Sequence, residues 1–413
     1  MKAVVFTLGC KVNACESEVL IKGLTDKGYT VSDKLEYADL YIINTCAVTG
    51  EAERKSRQTI ARVKKYNPAA KIIVTGCASE KAPKDFWGRE GVTLVTGAKR
   101  KEQILDMLSD VGVKVFEEGD VLNETIFPEN VKTRAFIKIQ DGCDNFCSYC
   151  IIPYLRGRSR SRSVDGITGE LKTVTAKEVV LTAINLSDYN YKGTDLSGLI
   201  RAIAAENFDF RVRLGSVEEG IITREFLDSL KTLKNFAPHF HLSLQSGSDN
   251  VLKAMNRHYS TAEFLNGVRL IREYYPNAGI TTDIICGFPT ETEEDFENTL
   301  EFAGICKFSD IHAFNYSPRQ GTVAASLKNL DDGVKKARVQ KLLDLKFELK
   351  SKFIEENLGL EKQVVFEDFD GVYTGGYTEN YVRAYIKGDY SGKVLNVTLI
   401  KPCSDGALCE LSE

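Results

Sequence analysis

The sequence predicts an α/β protein with an N-terminal doubly wound parallel sheet domain, a central partial (β/α)6 barrel and a small C-terminal antiparallel β-barrel. Strand-like runs alternate with helical stretches in the first third, six larger strand–helix repeats follow, and the end of the chain has only short β-rich runs. A chain of 413 residues is also too long for one ordinary core. We place the domains at residues 1–115, 132–355 and 360–413.

Three cysteines follow strands of the N-terminal domain. Its predicted elements are two helices, Glu16–Lys27 and Glu51–Tyr66, and four strands, Ala3–Leu8, Leu40–Asn44, Lys71–Thr75 and Thr93–Val95. Cys10, Cys46 and Cys77 each lie just past a strand end. The carboxyl ends of parallel strands share one edge of the sheet, so we expect these thiols to form a three-cysteine metal site. Filling of small apolar positions is the alternative, and it is the role predicted for Cys15.

The alternation fades between about Gly112 and Val131, which predicts a linker. Six βα units then predict a partial barrel, with an active site built from the loops at the carboxyl ends of its strands. The predicted strands are Arg134–Gln140, Glu178–Leu181, Arg211–Leu214, Phe240–Leu244, Gly279–Ile285 and Asp310–Phe314, and the helices are Leu196–Glu206, Thr223–Leu233, Thr261–Tyr274 and Thr292–Cys306.

The first central strand leads into a loop with Cys143, Cys147 and Cys150. Three thiolates so closely spaced can surround one metal centre, but they are one ligand short of a closed zinc or iron–sulfur site. The vacant position would let a substrate or cofactor bind the metal directly. A zinc loop and a chance grouping of cysteines are the alternatives.

A basic segment follows the cysteine loop. Residues 132–162 contain seven Lys or Arg and two Asp, in a protein of net charge -4. The alternating arginines Arg156, Arg158, Arg160 and Arg162 are predicted to hold phosphates, because Gly and Ser between them keep the backbone close to a ligand. A solvated basic segment is the alternative.

Polar or glycine-containing turns follow other central strands, including those with Ser216, Gln245 and Asp283. Each turn alone is ordinary loop chemistry, but their repetition on one face favours a ligand site. Cys286 and Cys306 are predicted to be core residues. The histidines show no metal-ligand spacing that competes with the cysteines, and we predict no chemistry for His239, His241, His258 and His312.

A charged helical run extends to about Asn357, and four short β-rich runs then predict the C-terminal barrel: Gln363–Phe366, Val372–Thr374, Tyr381–Ile386 and Val394–Ile400. Its tyrosines are predicted either to stack on nucleic-acid bases or to fill the core; they are Tyr373, Tyr377, Tyr381 and Tyr385. Cys403 and Cys409 are expected to be structural. The barrel has nine acidic and five basic residues, so it lacks a bulk basic charge.

The composition, with 43% hydrophobic and 27% charged residues, is that of a globular protein, and no apolar run is long enough to cross a membrane. The start of the chain lacks the features of a secretory signal, so we expect a cytoplasmic protein with no membrane partner. Eleven clustered cysteines favour metal binding in a reducing compartment over disulfides.

The chain resembles the methylthiotransferase family of radical S-adenosylmethionine enzymes over almost its whole length. The motifs that carry the resemblance are Gly9-Cys-Lys-Val-Asn13 with Glu16-Ser17, Asn44-Thr-Cys46, Gly76-Cys77, Cys143-x3-Cys147-x2-Cys150, the arginines of 156–162 and Leu244-Gln-Ser-Gly-Ser-Asp249. The first motif is most similar to the branch that modifies N6-threonylcarbamoyladenosine at position 37 of transfer RNA.

The resemblance implies two 4Fe-4S clusters and two equivalents of S-adenosylmethionine, one as radical source and one as methyl donor. The cluster on Cys143, Cys147 and Cys150 would generate a radical that removes hydrogen from C2 of the adenine. A second cluster, on Cys10, Cys46 and Cys77, would deliver sulfur to that carbon. Implied partners are the transfer RNA anticodon loop, a low-potential electron donor and a sulfur donor.

The resemblance also implies that the arginines of 156–162 bind substrate phosphates or the N6 carboxylate, and that the C-terminal barrel is a TRAM-like RNA-binding domain. Tyr149, Ser216 and Gln245 become candidate cofactor contacts. Alternative activities are methylthiolation of N6-isopentenyladenosine-37 or of a ribosomal-protein aspartate. A non-catalytic iron–sulfur protein that binds RNA or transfers electrons is the alternative from another class.

Overall fold

The computed structural model describes residues 1–115 and 133–412. Its N-terminal part is a six-stranded, fully parallel sheet. In chain order the strands are β1 (Lys2–Thr7), β2 (Thr30–Ser32), β3 (Leu40–Thr45), β4 (Lys71–Gly76), β5 (Val92–Thr96) and β6 (Gly112–Lys114), and their order in the sheet is β2-β1-β3-β4-β5-β6. The four predicted strands are confirmed. The sequence reading missed the two edge strands because each has only three residues, and β6 occupies the start of the predicted linker.

Separate hydrophobic cores cover the two faces of this sheet, so the prediction of a doubly wound domain is confirmed. Helix α1 (Lys11–Asp26) packs Leu20 and Leu24 on one face, and helix α2 (Gly50–Tyr66) packs Ile60 and Val63 on the other. Thr49 begins α2, since its hydroxyl accepts the backbone N–H of Ala52. The strand order reverses between β1 and β3, and such a switch point opens a crevice at the carboxyl ends of the strands.

The central part contains six parallel strands, which confirms the partial barrel. They are β7 (Arg134–Lys138), β8 (Glu178–Thr182), β9 (Arg211–Leu214), β10 (His239–Gln245), β11 (Gly279–Cys286) and β12 (Asp310–Asn315). Strands β7 to β9 form one ladder, and β10 to β12 form a second with the short strand Ser216–Val217 at its edge. A single bridge between Val212 and Phe236 links the two halves. The remaining predicted linker, residues 116–132, lies outside the described residues.

A short helix, α3 (Cys77–Lys81), follows β4 in the N-terminal sheet. Seven helices accompany the central strands in the described part of the chain: α4 (Ile152–Arg156), α5 (Val164–Leu171), α6 (Leu196–Ala205), α7 (Arg224–Lys231), α8 (Asp249–Ala254), α9 (Thr261–Tyr274) and α10 (Glu293–Cys306). Capping boxes begin α9 at Ser260 and α10 at Thr292, which fixes the lengths of the preceding loops. The predicted charged run forms α11 (Asp332–Glu356). None of the described helices is both long enough and apolar enough to cross a membrane.

Alternate residues of the central strands face the helices or the inside of the barrel. Val179, Leu181, Val212 and Leu214 belong to the main hydrophobic core, as do Cys286 and Cys306, which confirms the core role predicted for these two cysteines. The other set of side chains, which we call the inner face, is mostly polar and includes Arg134, Lys138, Glu178, Arg211, Arg213, His239, His241, Gln245, Asp283 and His312.

The C-terminal part is a closed five-stranded barrel. Its strands are β13 (Glu361–Phe369), β14 (Tyr373–Thr378), β15 (Arg383–Lys387), β16 (Val394–Cys403) and β17 (Gly406–Leu411), in the order β13-β14-β15-β17-β16. The strand predicted at Tyr381–Ile386 begins two residues later, at Arg383, because Tyr381 lies in a turn with a φ of 76°. The fifth strand was missed. The division into three domains, with these boundaries, stays a prediction.

A buried ionic cluster joins the C-terminal barrel to the amino ends of the central strands. Glu178 accepts charge-assisted hydrogen bonds from Arg211 and Arg213 at 2.5–3.0 Å and forms an ion pair with Arg134 at 2.8 Å. Arg211 and Arg213 also donate to backbone carbonyls of C-terminal residues Gln363, Tyr377, Thr378 and Glu379 at 2.9–3.1 Å. Burial alone would raise the pKa of Glu178, but the three arginines lower it to about 2.

Substitution Glu178→Gln should lower the free energy of unfolding by about 3–5 kcal/mol, because it leaves the buried guanidinium groups of Arg211 and Arg213 without their shared anion. The stabilisation from the lowered pKa is complete above the unfolded-state value, about 4.3, and is lost as the pH falls toward 2. Urea unfolding at neutral pH and at decreasing pH measures both effects. The exposed Glu361→Gln is the matched control; an equal response of both variants would contradict this account.

Candidate cofactor-binding cleft

Cys10, Cys46 and Cys77 lie together at the carboxyl edge of the N-terminal sheet. They follow β1, β3 and β4, the strands that flank the switch point. Burial, with a smaller contribution from the neighbouring thiols of Cys77 and Cys10, raises the pKa of Cys46 to about 11. The thiolates that bind a metal would therefore form here only with a compensating cation.

Two glycines let these loops approach each other. Gly9 has a φ of 101°, and a Cβ at this position would lie 2.7 Å from the sulfur of Cys46. Gly76 has a φ of 105°, and a Cβ there would lie 2.4 Å from the carbonyl oxygen of Thr45. Neither position has room for a side chain. The glycines before Cys10 and Cys77 are therefore a requirement of the converging loops.

The second trio, Cys143, Cys147 and Cys150, lies on one loop after β7. A short antiparallel pairing of Gln140–Asp141 with Arg160–Ser161 closes the base of this loop. The backbone N–H of Cys143 donates to Gly157 at 3.1 Å. Burial raises the pKa of Cys143 and of Cys150 to about 12. These thiols are thus shielded from water and gathered by backbone contacts.

A buried arginine contacts this loop. Arg257 donates to the sulfur of Cys147 at 3.3 Å and forms an ion pair with Glu218 at 2.7 Å. A cation beside the sulfur favours the thiolate form, as metal binding requires. Arg257 follows α8, and sequence reasoning missed it because nothing in the local pattern relates it to the cysteine loop.

The cysteine trios are more widely spaced than the ligands of a single zinc ion. Thiolates around one zinc lie about 3.8 Å apart, as follows from zinc–sulfur bonds of about 2.3 Å. In the described part of the chain, the one group of three or more His, Cys, Asp or Glu ligand atoms lying within 4.8 Å of one another contains no cysteine. The spacing therefore suits a cluster with several metal atoms better than a zinc loop.

An open cleft of about 190 Å³ lies between the loop that follows Cys46 and the loop that contains Cys150. Val48 and Thr49, which follow Cys46, line one side, and Tyr149 and Cys150 line the other. Gln245 and Asp283 line it from the ends of β10 and β11. Of the predicted cofactor contacts, Tyr149 and Gln245 thus lie in the cleft. Ser216 is exposed, pairs with His241 in the sheet and is not among the lining residues.

The four predicted phosphate-binding arginines fall into two pairs. Arg158 is exposed, lies over the ring of Phe146 and pairs with Asp144 at 3.2 Å, and Arg160 is partly buried. Arg156 and Arg162 are only 1% and 5% exposed. Arg162 donates to Glu170, and Arg156 donates to Glu16 and Asp141. Phosphate binding does not fit Arg156 or Arg162, because carboxylates already occupy their buried guanidinium groups.

Arg156 belongs to a buried ionic cluster, which we call the interdomain ion cluster: Glu16, Lys101, Lys138, Asp141 and Arg156. Glu16 and Lys101 come from the N-terminal part of the chain, and the other three come from the central part. Burial opposes ionisation of Glu16, but Arg156, Lys101 and Lys138 hold the pKa of its carboxyl well below the ordinary value. Nearby, Cys15 donates to the carbonyl of Phe136 at 3.2 Å, in keeping with its predicted packing role.

The inner face of the central barrel holds a group of three side chains, His241, Asp283 and His312, that the sequence analysis did not find. His241 lies 3.3 Å from a carboxylate oxygen of Asp283, and the ring centroids of His241 and His312 are 5.5 Å apart. The Thr281 hydroxyl lies 2.9 Å from Nδ1 of His241 and fixes that ring. These residues are far apart in the sequence but lie on the adjacent strands β10, β11 and β12. The sequence signal that could have found this group is the alternation of apolar and polar residues in these strands, which puts all three side chains on the inner face.

Substitution Arg156→Ala should lower the free energy of unfolding by about 3–5 kcal/mol, since it removes the buried guanidinium group that Glu16 and Asp141 share and leaves the cluster with an excess of buried negative charge. Arg158→Ala removes the same side chain from the surface and should change stability by less than about 1 kcal/mol. Urea denaturation measures the free energy of unfolding of both variants. Similar losses in the two would show that the buried position of Arg156 has no special importance.

Comparisons with known proteins agree with this geometry. The model of the radical SAM superfamily matches residues 137–303, and that of uncharacterized protein family UPF0004 matches residues 2–97. The chain shares 14% identity and a TM-score of 0.55 with the radical S-adenosylmethionine methyltransferase TsrM from Kitasatospora setae, over 77% of this chain and 73% of that one. This likeness shows a shared fold.

Curated relatives match almost from end to end. The threonylcarbamoyladenosine tRNA methylthiotransferases MtaB of Bacillus subtilis and Aquifex aeolicus are 35% and 37% identical, over 98% and 97% of this chain and 96% and 100% of their own lengths. The tRNA-2-methylthio-N(6)-dimethylallyladenosine synthase of Endomicrobium trichonymphae is 32% identical, over 97% of each chain. The chain belongs to the tRNA methylthiotransferase family of the radical S-adenosylmethionine superfamily.

Proposed function

We propose that this protein inserts a methylthio group at C2 of N6-threonylcarbamoyladenosine at position 37 of tRNA. The observation that carries the proposal is a cleft lined by the loop after Cys46 and by Cys150 of the second trio, in a chain similar over almost its whole length to proteins named for this reaction. The similarity to a dimethylallyladenosine synthase supports that substrate as the second candidate.

Membership of the radical S-adenosylmethionine superfamily implies one 4Fe-4S cluster and S-adenosylmethionine. Cys143, Cys147 and Cys150 would hold this cluster, and Tyr149 and Gln245 lie beside it in the cleft. When bound, the cluster and cofactor supply one-electron chemistry that removes a hydrogen atom from a carbon too inert for acid–base catalysis. Arg257 stabilises negative charge on Cys147, and the surrounding apolar residues keep water away from the loop.

Cys10, Cys46 and Cys77 would hold the second cluster and present sulfur to the same cleft. The buried thiol of Cys77 lies next to cations: Arg156 and Lys101 lower its pKa against the larger effect of burial. A second equivalent of S-adenosylmethionine would supply the methyl group. The reaction also requires a low-potential electron donor and a sulfur donor as partners.

The RNA contacts proposed here start from Arg158 and Arg160, next to the cysteine loop. We take the C-terminal barrel as TRAM-like and propose that its backbone and polar side chains also contact the RNA. Two of its tyrosines are already engaged within the protein, since Tyr381 stacks on His239 with 4.1 Å between ring centroids and Tyr377 stacks on Tyr381 at 4.5 Å. Tyr385 donates to Asp405. We propose the cytoplasm as the compartment in which the protein acts on tRNA.

The substrate is tested with reconstituted enzyme, reductant and S-adenosylmethionine under anaerobic conditions. Two tRNA preparations, one with threonylcarbamoyladenosine and one with dimethylallyladenosine at position 37, are digested and their nucleosides weighed by mass spectrometry. We expect the 2-methylthio product from the first. A product from the second alone would favour the second candidate, and no product from either would contradict the enzymatic proposal.

The two cysteine trios should be separable by substitution. Cys10→Ala, Cys46→Ala or Cys77→Ala should remove one cluster and abolish methylthiolation while 5′-deoxyadenosine still forms, because the other trio remains. Cys147→Ala should abolish both products. Iron analysis and chromatography of 5′-deoxyadenosine measure these outcomes, with Cys403→Ala as the control. Unchanged sulfur insertion in Cys46→Ala would show that the first trio holds no required cluster.

A further inference from the structure

The charges of this protein are distributed unevenly along the chain. Residues 50–91 contain ten Lys or Arg and five Asp or Glu, whereas the rest of the chain contains 44 Lys or Arg and 53 Asp or Glu. This stretch forms α2, β4, α3 and the segment after them, all in the N-terminal part of the protein. A local excess of positive charge in an acidic protein favours contact with a polyanion.

Many of these cations lie on one continuous surface. The apolar residues of α2 pack on the sheet, and its basic residues lie on the opposite side. Arg57 of this helix pairs with Asp85 at 3.9 Å. Lys64, about two turns further along, pairs with Glu90 at 3.6 Å. The segment 83–91 therefore runs alongside α2. The exposed basic side chains of the helix and of this segment form a surface that we call the basic face: Arg54, Lys55, Arg62, Lys65, Lys84 and Arg89.

Three cations of the basic face are not engaged within the protein. Arg62, Lys65 and Lys84 form no hydrogen bond and no ion pair with the residues that the structure describes. The two cations near the start of α2 share Glu51, in pairs whose side chains are more than half exposed. Exposed pairs of this kind contribute little stability, so their cations can turn to a phosphate. The basic face can therefore bind an external anion without breaking a buried contact.

The basic face begins at the mouth of the cleft. Thr49 caps α2 and also lines the cleft. From there the 17 residues of the helix extend over about 25 Å. In the first turns Glu53 pairs with Arg319 of the central part at 3.2 Å, which fixes the helix beside the cleft. A polynucleotide with one base in the cleft would thus have the basic face next to its adjoining backbone.

The basic face also adjoins the RNA contact proposed at Arg158. Trp87, the one tryptophan of the chain, is 39% exposed in the segment 83–91. Its neighbour Phe86 packs in the same hydrophobic cluster as Leu155 of α4. This segment therefore lies beside the helix that leads to Arg158. Exposed aromatic rings among cations are typical of surfaces that bind nucleic acids.

The C-terminal barrel is less suited to attract RNA by charge. Residues 361–413 contain nine acidic and five basic residues. The barrel contacts the amino ends of the central strands, whereas Gln245 and Asp283 line the cleft near the carboxyl ends. The barrel can still supply polar contacts, but the excess of positive charge lies at the other end of the molecule.

We propose that the basic face binds the phosphate backbone of the tRNA substrate along its anticodon stem and supplies most of the electrostatic part of the affinity. This inference rests on the proposed function. The stem beside the anticodon loop carries closely spaced phosphates on both strands, so a row of cations that starts at the cleft holds the stem while the base at position 37 enters. Cations that pair with phosphates release counter-ions, which makes the affinity depend steeply on salt.

Binding is measured by fluorescence anisotropy with the full-length, cluster-loaded protein and labelled tRNA that carries N6-threonylcarbamoyladenosine at position 37, over a range of KCl concentrations. One variant combines Arg62→Gln, Lys65→Gln and Lys84→Gln. We expect its binding at physiological salt to be weaker by about 10- to 100-fold. The slope of log affinity against log salt should fall by about two to three, roughly one for each lost phosphate contact.

The matched control combines Lys234→Gln, Lys307→Gln and Lys387→Gln. It removes three exposed lysines that precede central strands or lie on the C-terminal barrel, and it should bind tRNA as the wild type does. Trp87 gives a second measurement, because bound tRNA should shield its fluorescence from quenching by acrylamide. Iron content and urea unfolding show whether each protein is folded and loaded with clusters.

Equal weakening in the two triple variants, an unchanged salt slope in the first, or bound tRNA that leaves Trp87 fully accessible to acrylamide would overturn the proposal. So would a first variant that binds tRNA normally but is no longer reduced by an acidic electron-transfer protein, since the basic face would then bind that protein. Binding is measured without turnover. Affinity that depends on the basic face, without any methylthio product, would therefore refute the proposed function and leave this surface standing.

Discussion

The interdomain ion cluster is the interaction on which the site depends. Glu16 lies in the helix that begins next to Cys10, and Arg156 ends the short helix after Cys150. Their buried hydrogen bonds, at 2.9–3.1 Å, fix the cysteine edge of one sheet against the cysteine loop of the other. Separating the two would leave unpaired charges in an apolar setting, at a cost of several kcal/mol. The ion cluster therefore holds the first cysteine trio close to the loop that carries the second.

A second ionic cluster holds the opposite end of the central barrel. Glu178 and its arginines attach the C-terminal barrel to the amino ends of the strands, and Tyr381 stacks on His239 of the inner face. The central barrel therefore contacts the N-terminal sheet near the carboxyl ends of its strands and the C-terminal barrel at their amino ends.

Much of this arrangement could be predicted from the sequence, because it follows from strand period and strand ends. Cys10, Cys46 and Cys77 follow buried parallel strands, and the shared edge of a sheet brings such positions together. The roles of Arg156 and Arg162 could not be predicted, since an alternating arginine pattern does not show which members meet a carboxylate; Glu16 is 140 residues from Arg156. The sequence analysis did not predict the group of His241, Asp283 and His312, because their proximity depends on the register of neighbouring strands.

The most direct test of the central claim is iron anomalous scattering from crystals of the reconstituted full-length protein. The account predicts two iron clusters, one at Cys10, Cys46 and Cys77 and one at Cys143, Cys147 and Cys150, both bordering the cleft lined by Thr49 and Tyr149. Iron at the second trio alone, or two clusters that open onto separate surfaces, would contradict it.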